Sequence, residues 1–317
     1  MSSNRVFRPQ HCDPDLSVNN KYMNLRFNSY IIIDQIITVF ILQIKMTEIN
    51  KVHLRDCIDG LQSLENESAD IIICDPPYNI GKNFGNNCTK QDLTQYLDWC
   101  DKWITECIRI LKPKGTLYIY GLSENLAFIR TKININVRWI IWHYTNKVTP
   151  SLNFWQRTHE SILCCYKQKP VFNRDDVREP YTAQYLKVAG KTRKSTKGRF
   201  GNTETKYNAH KNGALPRDVI KIPALAGGAG RKERVNHPTQ KPLELCRKLI
   251  KASRNTGIDE DTLVVVPFSG SGSECVAAKL EEVDFIGFEI NEEYIKLSNT
   301  RIENTVPEGK IEVTIDI

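Results

Sequence analysis

Two apolar periods alternate along the chain from Met46 onward. Short runs that are apolar on both faces predict strands at residues 51–54, 71–74, 116–120, 138–143, 161–166, 264–266 and 285–288. Ile71, Ile72, Ile73 and Cys74 show the pattern most fully, as expected of an interior strand of a parallel sheet. Helical spacing places Ile58, Leu61 and Leu64 on one face of residues 57–64 and predicts a long amphipathic helix over 93–111, closed by Lys112-Pro113-Lys114-Gly115. Further helices are expected over 124–133, 243–252 and 274–280. Strands alternating with helices imply right-handed crossovers and a doubly wound α/β fold around a mostly parallel sheet.

The N-terminal 45 residues read differently. Residues 30–44 are strongly apolar, but Asp34, Gln35, Thr38 and Gln43 interrupt them, and the run falls short of the roughly 18–20 residues that span a bilayer. No small-residue cleavage site follows before Lys45, so neither a membrane span nor a signal peptide is expected. The segment is either an extension outside the domain or the product of a start codon assigned too early.

With 40% apolar and 26% charged residues among 317, an ordinary globular chain is expected, and disorder is not. The ten cysteines lie mostly in apolar runs, without a C-x-x-C pair or a Cys/His cluster at zinc spacing. Buried thiols in a reducing, cytoplasmic compartment and no metal site are the expectation. A net charge of +7 favours a polyanionic partner. The charge gathers in residues 171–236, where the run from 187 to 211 sets Lys187, Lys191, Arg193, Lys194, Lys197, Arg199, Lys206 and Lys211 against one acid, Glu204. Such a stretch is either a solvated loop or an insertion that wraps a phosphate backbone. Tyr185, Phe200 and Tyr207 among the cations favour nucleic acid, with Arg217 suited to base edges.

Chemistry is written at two strand ends. Asp75 follows the apolar run 71–74, where open α/β sheets bind ligands. Pro76 and Pro77 fix the backbone and remove two donors, leaving outward carbonyls and a directed ring, Tyr78. Acceptors and a ring without a nucleophile suit a planar group bearing an amino donor. The second motif joins the strand 264–266, the small-residue turn Pro267-Phe268-Ser269-Gly270-Ser271-Gly272-Ser273, a helix and a second strand ending on Glu289. Glycines at a helix N-terminus allow close approach of a ligand, and an acid at the next strand end suits two ribose hydroxyls. The third glycine of a dehydrogenase fingerprint is missing.

D-P-P-Y at Asp75–Tyr78, H-P-T-Q-K-P at 237–242 and P-F-S-G-S-G-S at 267–273, in that order, resemble the amino-DNA methyltransferases of the permuted β group over residues 51–301. The resemblance implies a circularly permuted, Rossmann-like methyltransferase fold. A catalytic half would span 46–170, an inserted basic target-recognition region 171–235, and an S-adenosylmethionine-binding half 236–317. Asp75, Pro76, Pro77 and Tyr78 would hold a base flipped from double-stranded DNA. Phe268, Ser269, Gly270, Ser271 and Gly272 would hold the methionine part of S-adenosylmethionine, with Thr239 and Lys241 near its carboxylate, Glu289 on its ribose, and Asp56 and Cys57 near its adenine. Lys82 and Phe84, in the loop 79–89, are placed to close over the gap. The same likeness leaves room for a homodimer and a companion restriction endonuclease. One departure is Val266, where the family usually has an acid. Adenine is the favoured target because the motif begins with Asp, while cytosine N4 fits the same geometry. An inactive DNA-binding relative of the fold is the alternative from another class.

Overall fold

The computed structural model describes residues 48–81, 90–146, 150–194, 204–206, 208–228, 230–257 and 261–307, with backbone alone at 193, 194 and 204–206. The stretch 1–45, Lys82, Phe84, Lys197 and Arg199 lie outside the described residues. In chain order the elements are β1 (Lys51–Leu54), α1 (Cys57–Gln62), β2 (Ala69–Cys74), α2 (Leu93–Ile110), β3 (Leu111–Gly121), α3 (Ser123–Ile129), β4 (Asn136–His143) and β5 (His159–Tyr166). There follow α4 (Ala183–Val188), β6 (Thr192–Lys194), β7 (Glu204–Lys206), β8 (Val219–Lys221), α5 (Leu243–Ser253), β9 (Leu263–Val266), α6 (Ser273–Leu280), β10 (Asp284–Glu289) and α7 (Glu292–Glu303).

Eight strands form one sheet in the order β1-β10-β9-β2-β3-β5-β4-β8, with β6 and β7 pairing apart as a small ribbon. The first five run parallel, β5 runs against both its neighbours, and β8 lies parallel to β4. The mostly parallel α/β layout expected from the apolar periods is therefore present. Alternation along the central strands divides the core into two layers. Ile71, Ile73, Tyr118, Tyr120, Val264 and Val266 pack with α5 and α6 on one face, whereas Ile72, Cys74, Leu117, Ile119 and Val265 pack with α1, α2 and α3 on the other. An interior strand read as apolar on both faces is one covered by helices on both.

Polar anchors fix the register. Asp70, buried at the start of β2, accepts from Lys112 Nζ at 2.7 Å, Asn255 Nδ2 at 3.0 Å and the Leu263 amide at 3.0 Å, which ties β2 to β3 and β9. Arg109 ends α2 by donating to the carbonyls of Leu61 and Leu64, both at 2.9 Å, which locks α1 against it. Residues 112–115 do not simply close the helix: they bulge at the start of β3, between the pairs Ala69–Leu111 and Ile71–Thr116.

Five elements escape the periodicity reading, the ribbon strands β6 and β7 among them. β8 is a three-residue strand from the stretch expected as an insertion, too short to show a period, yet Ile220 and Ile222 are core residues and Trp142 Nε1 donates to the Ile222 carbonyl at 2.9 Å. α4 and α7 are capped by Thr182 and Asn291, whose side chains accept from the first-turn amides. The eight described cysteines are free, and seven of them are buried. Among the described residues no helix is long and apolar enough to cross a membrane.

Candidate active site

β2 and β9 are neighbours, but the chain leaves β2 toward β3 on one side and leaves β9 toward β10 on the other. Their C-terminal ends open the crevice that such a switch in direction creates. The crevice holds a cavity of about 280 Å³, near the lower end of the ligand-pocket range. Asp75, Pro76 and Pro77 line it from β2. Phe268, Ser269, Gly270, Ser271 and Glu274 line it from β9 and α6, with Glu289 from β10, Asp56 and Cys57 from beyond β1, and Thr239 and Lys241 from the approach to α5.

Asp75 is held from two sides. Lys241 Nζ donates to its two carboxylate oxygens at 2.8 and 2.7 Å, and Tyr78 Oη donates to Oδ1 at 2.8 Å. The same ammonium stands 3.6 Å from Glu160 Oε2, which also accepts from Tyr78 Oη at 3.1 Å. Lys241 is 3% exposed. Burial opposes its charge, but Asp75 and Glu160 outweigh that and hold its pKa above the ordinary lysine value. Its Nζ also lies 5.4 and 5.1 Å from the ring centroids of Tyr78 and Tyr120. Lys241, expected beside the cofactor's carboxylate, is thus engaged with the carboxylate of Asp75.

Tyr78 also differs in placement from the open stacking ring expected. It is buried in the core layer beneath β2 and is absent from the cavity lining, because Glu160 at the start of β5 offers its hydroxyl an acceptor on the inside. In this position it orients Asp75. The Pro77 carbonyl is likewise taken, accepting from Tyr96 Oη at 2.8 Å, and Asn125 Nδ2 donates to the carbonyl of Tyr78. Asn79, at φ +54°, exchanges hydrogen bonds of 2.7 and 3.0 Å with the backbone of Gln91 and so pins both ends of the loop expected to close over the site.

The second half of the cavity is a cradle of backbone. Gly272 has φ +75°, and a Cβ there would meet the Ser298 Cβ at 2.7 Å, so the turn into α6 needs glycine twice over. Glu289 accepts from the amides of Gly270 at 2.8 Å and of Ile290 and Asn291 at 2.9 Å. Asp56 caps α1 by accepting from the Ile58 amide at 2.8 Å. Phe268 packs edge-on against Trp99 and Trp103, with centroids 5.8 and 5.4 Å away. Val266 is fully buried in the core and presents nothing to the cavity.

Two acids were not singled out by sequence reasoning. Glu160 stands between His159 and Ser161 at the polar start of β5, outside the apolar run expected from 161, so no local contrast marks it. Glu274 follows from α6, whose residues Ser273 to Ala278 are all buried, so an acid among them has to face inward. Its partner is the Cys246 thiol, with Sγ at 3.5 Å. Burial, then the nearby Asp75, push its pKa from 4.5 to about 7. The folded state therefore binds this proton more tightly than the unfolded chain, and stability falls as pH rises from about 4.5 to about 7. Glu274→Gln is expected to stabilise the protein by about 2–3 kcal/mol at pH 8 and by little at pH 4.5, as read by urea unfolding at the two pH values. His237, also lining the cavity, is driven down to about 4 chiefly by burial, so its imidazole is neutral.

The basic residues are more dispersed. Lys191 and Lys211 are exposed, and Arg193, Lys194 and Lys206 lie on the β6–β7 ribbon. Arg217 is placed differently from the expectation of a base-reading residue. β8 returns parallel to β4, so Arg217 precedes it at the sheet edge opposite Asp75, lining a separate cavity with Arg138 and Lys169.

The DNA methylase family matches residues 69–300. The type II methyltransferase M.HpaI of Haemophilus parainfluenzae is 32% identical over 256 residues, covering 78% of this chain and 73% of that protein. The DNA adenine methyltransferase YhdJ of Escherichia coli is 33% identical over 259 residues, covering 78% and 81%. Among solved structures, the cytosine-N4-specific PvuII DNA methyltransferase shares the fold, with a TM-score of 0.56 at 16% identity over 79% of this chain and 85% of that one.

Proposed function

Because the chain belongs to the DNA methylase family, we propose that it transfers a methyl group from S-adenosylmethionine to the exocyclic amino group of adenine in double-stranded DNA. The observation that carries the reading is Asp75, a carboxylate at the end of β2 locked by Lys241 and Tyr78 beside the glycine cradle of β9 and α6. The adenine methyltransferase named above, at 33% identity, supports adenine over cytosine N4. The chain order, with D-P-P-Y first, the basic stretch next and the glycine turn last, supports placement in the permuted β group.

The donor set fits the cofactor. Glu274 is a buried carboxylate at the cavity with a thiol as its partner, suited to a ligand that carries positive charge. Glu289 stands at the end of β10, where ribose hydroxyls would find it. When bound, S-adenosylmethionine supplies an electrophilic methyl group on a cationic sulfur. The protein's part is to prepare the acceptor nitrogen, whose lone pair is delocalised into the purine. Asp75 accepts an N–H of that amino group and stabilises the positive charge that develops as the N–C bond forms. Lys241 and Tyr78 hold the carboxylate in a fixed orientation, so little reorganisation is needed at the moment of transfer. The nitrogen then loses one proton, to Asp75 or to water. No covalent enzyme intermediate is needed.

Methylation-sensitive sequencing of DNA from cells expressing the chain tests the reading. N6-methyladenine at a defined sequence is expected, N4-methylcytosine would move the target to the alternative base, and unmodified DNA would overturn the proposal. The type II relatives make a companion restriction endonuclease part of the same proposal. Replacing Glu289 by Ala is expected to weaken S-adenosylmethionine binding by about 1.5–3 kcal/mol in calorimetry, the range for a hydrogen bond to a charged group. For the basic stretch, removing Lys191, Arg193, Lys194 and Lys197 together should weaken binding to all DNA sequences alike. The log–log salt slope should fall by about 0.9 for each phosphate left unneutralised, and an unchanged slope would make the stretch a solvated loop.

A further inference from the structure

β4 runs parallel to β3, so the chain leaves His143 at the same sheet edge as Asp75 and returns to it at His159. Both stems of this connection are pinned. Tyr144 donates its amide to the Thr158 carbonyl at 2.9 Å, and Asn146 exchanges hydrogen bonds of 2.7 and 2.9 Å with the backbone of Ala224. Arg157 grips both carboxylate oxygens of Glu124 at 2.6 and 3.2 Å, and three residues on, Glu160 accepts from Tyr78. Between these anchors the chain displays Leu152 at 88%, Phe154 at 80% and Trp155 at 88% exposure. The next most exposed large apolar side chain among the described residues is Val306, at 59%. Anchored stems with an apolar, solvent-facing tip at the same sheet edge as Asp75 are the pattern of a contact surface, because soluble proteins seldom leave such a cluster without a partner.

We propose that Phe154 and Trp155, with Leu152 beside them, form an apolar wedge that enters the base stack of DNA where the target nucleotide has left it. The inference rests on the DNA-methylation reading above. A base held at Asp75 leaves a gap in the duplex with two unstacked faces, and the residues that fill it must reach the DNA from the same edge as Asp75. Aromatic side chains recover stacking on such faces whatever the sequence, and apolar wedges between base steps are an established means of holding a duplex open. The occupant this tip suits is therefore the opened stack itself, a planar apolar slot bounded by phosphates that the net charge of +7 attracts.

The test compares Phe154→Ala/Trp155→Ala with the parent on two DNAs built on the site mapped by sequencing. One is the intact duplex, and the other carries an abasic position opposite the target, so that its base is already unpaired. Both side chains are at least 80% exposed, so the core is untouched by their removal. Methylation of the intact duplex is expected to slow about tenfold or more, while the abasic duplex is methylated at close to the parental rate. Duplex containing 2-aminopurine at the target should show a smaller fluorescence rise with the variant than with the parent, and Trp155→Phe should restore most of it. Equal losses on both DNAs, no loss on either, or an altered oligomeric state without discrimination between them would overturn the wedge. A parent protein that methylates neither DNA would overturn the methyltransferase reading instead.

Discussion

Asp75→Ala is expected to reduce single-turnover methyl transfer by about 10²–10³-fold or more, the scale set by removing one preorganised group that stabilises charge in a transition state. DNA binding should be largely spared, because the exposed cations of the 171–235 stretch are not altered. Since Ala leaves Lys241 buried without its closest anion, the companion variant is Asp75→Asn. It keeps the shape and one acceptor oxygen but loses the charge. A transfer rate close to the parent's in both variants would remove Asp75 from the reaction, whereas loss in Ala with full activity in Asn would reduce its role to geometry.

The second large effect is on stability. Lys241→Met removes the one cation that, among the described residues, stands between Asp75, Glu160 and Tyr78. Breaking a buried pair by deleting one partner costs about 3–5 kcal/mol, and the deficit should appear as an earlier urea midpoint with an unchanged slope. Adding Glu160→Gln to Lys241→Met should recover part of the loss by removing a carboxylate left without compensation. Lys241 also lowers the pKa of Glu274, so Glu274 should hold its proton to a higher pH in the Met variant than the value of about 7 in the parent. A Met variant as stable as the parent would mean that the cluster is solvated.

These residues also show where sequence reading reaches and where it stops. Asp75 and the glycine turn are legible because each sits beside a local signal, an apolar run that ends abruptly or small residues before a helix. The strands of the parallel core are legible because burial on both faces leaves no polar position to confuse the period. Glu160 is 82 residues from Tyr78, and Lys241 is 166 residues from Asp75. No local window contains those pairs, so the inward turn of Tyr78 and the ion pair of Lys241 could not be read from the chain. β8 escaped for the opposite reason, since three residues carry too little pattern. The direction of Arg217 depends on that strand and escaped with it.

The sheet also dictates when in the protein's synthesis the site can exist. Among the described strands β1 is laid down first and hydrogen-bonds to β10, which is laid down last, and the Phe285 amide reaches back 235 residues to Asn50 at 3.2 Å. At a translation rate of about 5–20 residues per second, β1 waits on the order of 10–50 s for its neighbour. During that wait Asp75 has emerged, but for most of it Lys241 has not, and the strands that separate β1 from β2 are still missing. Pairings so distant in the chain fold slowly, because loop closure comes before the contacts that reward it. A nascent chain arrested before residue 236 is expected to leave β2 open along the edge that β9 covers, sensitive to proteases and unable to hold a cofactor. Completion of β9 and β10 thus acts as a natural timer that keeps methyl transfer switched off until both strands have left the ribosome.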